Sequence, residues 1–431
     1  MSWLAVAVLA FSFLVLLAVG VPIAFCLGLS TAFTMLLSTD GLPVVTTVAQ
    51  RVATGLDSFT LLAIPFFILA GQLMNQGGIA RRLVDFAKAV LGMLPGALAF
   101  VNVLAAMLFG AVSGSAVAAA SAVGGFMGPQ MEAEGYDKSF SAAINITSAS
   151  TGLIIPPSNV LIIYSLAAGG VSIGALFLAG YLPGILVGLS LMVVAGIWAY
   201  RYDYPTSGRV SLRTTLWRFV EAIPSLFMLV VVIGGIIAGI FTATEAAAVA
   251  VLYAFLLALA YRELSWNDLY DLLLDTVTTS AIVLLLVGAS IAMSWVLSFE
   301  QIPQGVASAL VALTDSTWGL LLIINALLLV VGTFMDITPA VLIFTPIFLP
   351  IVTELGIDPI HFGIIIVLNL CVGICTPPVG TVLFVGAAVG DTTISRLIRP
   401  LLPLYAAMVV ALLLVTYLPF LSMWLPSFFG Y

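Results

Sequence analysis

Long stretches of this chain carry no charge and do not alternate. Residues 182–200 and 225–240 run continuously apolar, which is the pattern of a lipid-facing helix. A membrane-barrel strand alternates polar and apolar positions instead. Such runs recur along the whole length, so that 63% of the residues are hydrophobic and 7% are charged. Water-soluble domains carry about 25% charged residues, and none hides this much apolar surface. The solvent of this chain is therefore lipid. Every backbone N–H and C=O in lipid needs an internal partner, which together with the apolar pattern predicts an all-α polytopic membrane protein.

The same scarcity of charge excludes several functions. With 12 basic residues and a formal net charge of −7, the chain has no basic cluster to neutralise phosphates, so nucleic acid is not a partner. Cys26, Cys371 and Cys375 lie in apolar stretches and read as small core residues, with no disulfide framework or metal site. A lone His361 excludes histidine-clustered metal or triad chemistry. No phosphate-binding P-loop is present for ATP drive, and no nucleophile–base set for an enzyme. Residues 2–19 lack a preceding basic region and read as a first span, not a cleaved signal.

An internal repeat organises the rest. Laid over itself so that Pro129 meets Pro350, the chain aligns without a gap from about Val101 to Leu176. Gly135 then meets Gly356, Asp137 meets Asp358, Gly152 meets Gly373, Pro156 and Pro157 meet Pro377 and Pro378, and Gly169 meets Gly390. Apolar matches arise easily in such a chain, but Gly, Pro and Asp matches each fix a backbone feature. Charge then orients the copies. Arg81, Arg82, Lys88 and Lys138 correspond to Ile302, Pro303, Ala309 and Pro359, whereas Arg396 and Arg399 correspond to Ala175 and Leu178. By the positive-inside rule, equivalent loops face opposite sides of the membrane. These are inverted-topology repeats, the architecture of secondary transporters.

The expected spans follow. Two leading scaffold helices, residues 2–19 and 21–37, occupy 1–44. Repeat one covers 45–200: a scaffold span at 56–74, an interfacial arm helix at 79–91, a re-entrant hairpin at 95–135, a broken helix at 139–168 and a span at 173–200. The arm places Arg81, Arg82, Asp85 and Lys88 on one polar face. Residues 201–265 form a cytoplasmic loop, through Arg218, and connecting helices at 222–240 and 244–261. Repeat two covers 266–425, with a span at 279–299, an arm at 303–313, a hairpin at 317–355, a broken helix at 360–389 and a final span at 401–425.

Four pieces should converge at mid-membrane: the hairpin tips Ser113-Gly114-Ser115 and Thr333-Phe334-Met335-Asp336, and two Gly-X-X-X-Pro-Pro breaks beginning at Gly152 and Gly373. Proline removes a ladder hydrogen bond and frees carbonyls on the preceding turn. It also suits the first position of a restarted helix. Freed carbonyls are hard oxygen ligands for Na⁺, and half-helix N-termini offer N–H groups to an anion. A single Pro-Pro is equally read as a simple kink, but two at matched positions facing polar tips favour function. Asp336 is the most informative charge, since an intramembrane carboxylate is a functional hypothesis by default; the competing reading is a protonated or hydroxyl-paired structural aspartate. Asn145, Ser148, Ser150, Asn159 and Asn369 either serve substrate or bind helices together. No Lys or Arg reaches this site, so an anion there is held by helix N-termini, hydroxyls and bound cations.

At these residues the chain resembles the large membrane (DctM-like) subunit of tripartite ATP-independent periplasmic, or TRAP, transporters. The resemblance spans essentially the whole length. It rests on Gly55-Leu-Asp-Ser-Phe-Thr-Leu-Leu-Ala-Ile-Pro65, Phe66-Phe-Ile-Leu-Ala-Gly71, Phe109-Gly-Ala-Val-Ser-Gly-Ser115, Gly152-Leu-Ile-Ile-Pro-Pro-Ser158 and Cys375-Thr-Pro-Pro-Val-Gly380. It implies a multi-pass protein of the bacterial inner membrane that imports organic anions such as C4-dicarboxylates, sugar acids or sialic acid. It further implies Na⁺ coupling, an elevator movement shared with the wider ion-transporter superfamily, a soluble periplasmic substrate-binding protein and a small four-helix membrane subunit, with no organic cofactor. Carried over by position, one Na⁺ site falls at Ser113, Gly152, Ile155 and Pro157, and another at Gly332, Thr333, Asp336, Gly373, Thr376 and Pro378. Substrate is then expected at Ser115, Ser158, Asn159, Pro377 and Val379. The alternative is a stand-alone anion carrier of the same superfamily, working without a binding protein.

Overall fold

The computed structural model describes residues 3–37, 41–91, 96–204, 212–312, 314, 316–377 and 379–431. Every regular element among them is helical. α1 (Trp3–Ala18), α2 (Ile23–Met35) and α3 (Gly41–Gly55) lead into a 3-10 turn (Phe59–Leu62), α4 (Ala63–Gln76) and α5 (Ile79–Leu91). Next come α6 (Ala97–Ser113), α7 (Ala116–Ala133), α8 (Lys138–Thr151), α9 (Asn159–Ala167) and α10 (Ile173–Arg201). α11 (Leu212–Ile237) and α12 (Ala243–Tyr261) join the halves. The second half contains α13 (Trp266–Phe299), α14 (Ile302–Val311), α15 (Thr317–Phe334), α16 (Ile337–Glu354), α17 (Pro359–Gly373), α18 (Thr381–Val389), α19 (Ile394–Tyr417) and α20 (Phe420–Phe428). Eight segments among the described residues are long and apolar enough to cross a membrane, including α10, α12 and α19. The chain is a multi-pass membrane protein.

The matched residues of the two halves do the same local work. Asp137 caps α8 by accepting from the Phe140 amide at 2.9 Å, and Asp358 caps α17 by accepting from the Ile360 amide at 2.7 Å. An N-cap carboxylate satisfies an amide that the first helical turn leaves open. Gly135 and Gly356, two residues earlier, both take the left-handed conformation (φ +88° and +81°). The crossing of each hairpin arm over its broken helix also repeats. A Cβ on Gly152 would lie 2.3 Å from the Gly110 Cα, and one on Gly373 would lie 2.5 Å from the Gly332 Cα. Backbone meets backbone at both crossings, and only glycine fits there.

The halves interlock. α9 packs on α16 and α18 packs on α7, so each broken helix passes its second segment to the other copy's hairpin. Tyr164 on α9 donates to the Pro359 carbonyl at 2.6 Å, and its ring lies against Gly363 of α17. Inside α15–α19 the Asn369 amide donates to the Asn325 carbonyl and side-chain oxygens (3.0 and 2.8 Å), and Asn325 donates to Thr416 at 3.1 Å. Asn145 donates to the Ala120 carbonyl at 2.8 Å, while Ser148 and Ser150 bond carbonyls of their own helix. Of the polar residues left open by the sequence, Ser148 and Ser150 thus bond within one helix, whereas Asn145 and Asn369 bond between helices. His361 does the same, hydrogen-bonded to Ser422 at 2.6 Å and the Thr416 carbonyl at 3.2 Å.

Several expected boundaries change. The final span is not continuous over 401–425: the helix stops at Tyr417 and restarts at Phe420, because Pro419 cannot donate into the ladder. α3 was not expected, since its mix of Thr, Gln and Arg51 hides a helix that packs on α13 and sets Arg51 over the Trp295 ring at 4.8 Å. α11 begins at Leu212, so Arg218 sits on a helix and not in a loop. There it pairs with Asp85 of α5 at 3.3 Å and Glu221 at 2.8 Å. α13 starts at Trp266, well before the expected 279, behind a capping box made by Ser265 and Asp268. The polar face of α5 is largely engaged by protein: Arg82 lies over the Tyr261 ring at 3.5 Å and Lys88 bonds Gln130. Leu83, Val84 and Ala87 fill its other side.

Candidate substrate and cation site

Pro156, Pro157 and Pro377 fall where helices stop. After Thr151 the backbone leaves the helix until Asn159, and after Gly373 it leaves until Thr381. Some carbonyls in these breaks are satisfied internally: Ser158 donates to the Leu153 carbonyl, and Tyr405 donates to the Cys375 carbonyl. Others converge. A Cβ on Gly380 would lie 2.6 Å from the Ile374 oxygen, which accepts the Val382 amide at 3.3 Å, and 2.9 Å from the Thr376 oxygen, so two carbonyl oxygens lie beside one point that any side chain would fill. Near the first tip, a Cβ on Gly71 would lie 2.6 Å from the Ser113 oxygen.

A cavity of about 290 Å³ lies among the breaks, the tips and the helices α4 and α13. Ser113, Ser115, Asn159 and Asp336 reach it, together with Leu153 and Ile374 from the breaks. Its walls include the first residues of four helices: Ala116 of α7, Asn159 of α9, Ile337 of α16 and Thr381 of α18. The first amides of a helix lack intrahelical acceptors and carry the positive end of its dipole. Four such ends meet in one cavity, where the Ser115 hydroxyl takes the Ala118 amide and the Asp336 carboxylate takes the Ile337 amide. Asp336 is the one charged side chain among the described lining residues. Its carboxylate faces the Thr381 hydroxyl and the Ile337 amide. None of the ion pairs among the described residues involves it.

The remaining expected residues sit differently. Gly152, Gly332 and Gly373 make the backbone crossings described above. Thr333 and Thr376 turn their hydroxyls to helix carbonyls, Val330 at 2.7 Å and Val372 at 2.8 Å. Ile155 packs toward Gly184, Pro157 and Ser158 are buried, and Val379 is exposed. None of Ile155, Pro157, Ser158, Pro377 and Val379 lines the cavity. Pro378 lies outside the described residues. Sequence reasoning missed Gln72 and Asn75 of α4, Thr279 of α13, Thr338 and Thr381, all of which line it. A polar residue on an otherwise apolar span was the available signal for Gln72 and Thr279. Asn159 is placed by Gly114, whose left-handed turn (φ +63°) leaves no room for a Cβ beside the Asn159 amide.

The family model for the DctM component of tripartite ATP-independent periplasmic transporters matches residues 10–421. The chain belongs to this family. Among DctM relatives, the uncharacterized protein YgiK of Salmonella typhimurium is 56% identical over 97% of this chain and 96% of its own length. The C4-dicarboxylate TRAP transporter large permease of Pseudomonas aeruginosa is 44% identical over 94% of each chain. The isethionate permease DctMQ of Oleidesulfovibrio alaskensis is 43% identical over 95% of this chain, which spans 65% of that longer protein. In fold, the YdaH transporter of Alcanivorax borkumensis superposes with a TM-score of 0.62 over 92% of this chain and 90% of its own, at 16% identity. The chain is thus the large permease component of a TRAP transporter and not an enzyme.

Proposed function

We propose that this DctM chain carries a small organic anion, a carboxylate or a related oxyanion, inward across the bacterial inner membrane, coupled to Na⁺. The observation that supports this is the convergence of four helix N-termini and one carboxylate outside any ion pair on a cavity with no basic side chain among its described lining residues. The N-termini supply the positive potential for the substrate anion. The carboxylate and the carbonyls of Ser113, Ile374 and Thr376 supply hard oxygens for cations. Substrate and Na⁺ then complete each other's charge, which accounts for coupling without a lysine or arginine. Relatives named for a C4-dicarboxylate and for isethionate, a sulfonate, fit such a site, because helix amides recognise an oxyanion by charge more than by shape. In this reading α6–α9 and α15–α18 enter from opposite faces and slide as one body against the scaffold. A periplasmic binding protein delivers substrate, and a small membrane subunit steadies the scaffold, a role consistent with the longer DctMQ relative.

The test is uptake of labelled succinate, and separately isethionate, into proteoliposomes holding this chain and its small subunit. An inward Na⁺ gradient and loaded binding protein should drive accumulation, and replacing Na⁺ by K⁺ should abolish it. Equal uptake in K⁺ rejects the coupling. Uptake by this chain alone, without binding protein, selects the stand-alone carrier.

A further inference from the structure

A second cavity, of about 780 Å³, lies between the turn joining α7 to α8, the C-terminal end of α10 and the N-terminal end of α19. Arg396 and Arg399 border it, and Asp137 is the one acid among its described lining residues. The Asp137 carboxylate is already engaged on the α8 amides. Neighbouring Lys138 is paired with Glu132 at 3.4 Å and Asp391 at 3.6 Å. Neither arginine takes part in an ion pair among the described residues, and both are exposed. The opposite wall is aromatic. Tyr136 packs tilted against Tyr204 at 4.2 Å, and Trp198 stacks on Tyr202 at 5.1 Å, while the Tyr204 hydroxyl accepts the Asp137 amide at 3.2 Å.

At the matching place of the other copy, Arg396 and Arg399 are replaced by Ala175 and Leu178, and Tyr136, Trp198, Tyr202 and Tyr204 by Ile357, Pro419, Met423 and Leu425. Arginines facing these rings therefore occur in one copy's place only, at the end that also holds Lys138 and Arg201. By the positive-inside rule that end is cytoplasmic, the side whose leaflet carries anionic lipid. Within about two helical turns of the rim, α10 exposes Val193 and Ile197 and α19 exposes Leu402, apolar surface suited to acyl chains.

We propose that this pocket holds the phosphate headgroup of an anionic phospholipid, with Arg396 and Arg399 as its counter-charges and the Trp198–Tyr204 aromatics at the headgroup level. The lipid joins the end of α10 to the start of α19, two long helices contributed by opposite copies.

Purified chain with its small subunit is titrated in detergent with cardiolipin, phosphatidylglycerol, phosphatidylcholine and inorganic phosphate, followed by thermal melting and native mass spectrometry. Cardiolipin and phosphatidylglycerol should bind and raise Tm, and phosphatidylcholine should not. Replacing each arginine by glutamine should weaken anionic-lipid binding about fivefold, R396Q/R399Q should add the two losses, and R396K/R399K should keep most of the affinity. K138Q, whose charge is already paired, should bind as the parent does. Unchanged lipid binding by a folded R396Q/R399Q overturns the proposal. So does inorganic phosphate giving the same shift as lipid, or loss of the small subunit with lipid binding intact, which would make the patch a protein contact.

Discussion

At the tip of the first hairpin the chain reads Ser113-Gly114-Ser115, and at the tip of the second it reads Phe334-Met335-Asp336. The helices on either side correspond almost residue for residue, yet the two turns spend their polar groups differently. In the first, Gly114 is left-handed and the Ser115 hydroxyl accepts the Ala118 amide at 3.2 Å, so the serine caps its own helix. In the second, Met335 is extended and Asp336, at the N-cap of α16, turns its carboxylate to the Ile337 amide and to the Thr381 hydroxyl of α18, both of which line the cavity. One tip is satisfied from within; the other presents its carboxylate to the cavity. A symmetric backbone thus carries an asymmetric pair of tips, with the one cavity-lining carboxylate on the second copy.

The largest expected effect breaks that asymmetry directly. Asp336→Ala should lower the initial rate of Na⁺-driven uptake at least about 100-fold, the order expected when one partner of a desolvated charge interaction is removed. Ser115→Ala should cost only about 1 kcal/mol of helix capping and a few-fold in rate. Equal losses in two well-folded variants would mean that both tips bind the cation alike.

At the glycine crossings, by contrast, the copies should behave the same. Gly152→Ala and Gly373→Ala each force a methyl into facing backbone, an overpacking worth about 1–3 kcal/mol. Thermal unfolding in detergent should show comparable drops for both. A drop in one alone would show that the two hairpins do not seat equally.

The smallest effect separates the polar contacts inside each half. Asn325→Leu removes the side-chain bonds to Asn369 and Thr416 while leaving the Asn369 amide its bond to the backbone carbonyl at that position, and should cost about 0.6–1.7 kcal/mol, the range for interhelical hydrogen bonds in membranes. Asn102 of the first copy is buried with neither side-chain atom hydrogen-bonded to protein, so Asn102→Leu should leave Tm unchanged or raise it. A clear fall for Asn102→Leu would reveal an ordered water bound there.

Much of this was legible along the chain. The arm helix at residues 79–91 shows as an amphipathic period, and the breaks at Pro156-Pro157 and Pro377-Pro378 show as matched proline pairs, because both depend on neighbours a turn away. The Ser-Trp-Asn-Asp capping box that begins α13 was equally readable but lay under an apolar run that drew the boundary later. α3 gave no such signal, since one residue of it, Val44, is buried and its polar positions read as loop.

What the sequence determined by itself is therefore the solvent, the helical class, the duplication and the places where helices must stop. Each follows from composition or from local backbone chemistry, which no distant residue can overrule. Only the tertiary structure decided that α9 crosses to α16 and α18 to α7, that Gln72 and Thr279 face the cavity, and that Asn145 and Asn369 bind helices instead of ligand. The rotation of an apolar helix about its axis leaves little trace in composition when lipid and core are equally apolar. Packing alone sets it, through glycine crossings where two backbones touch and through the few hydrogen bonds that cannot be left unmade.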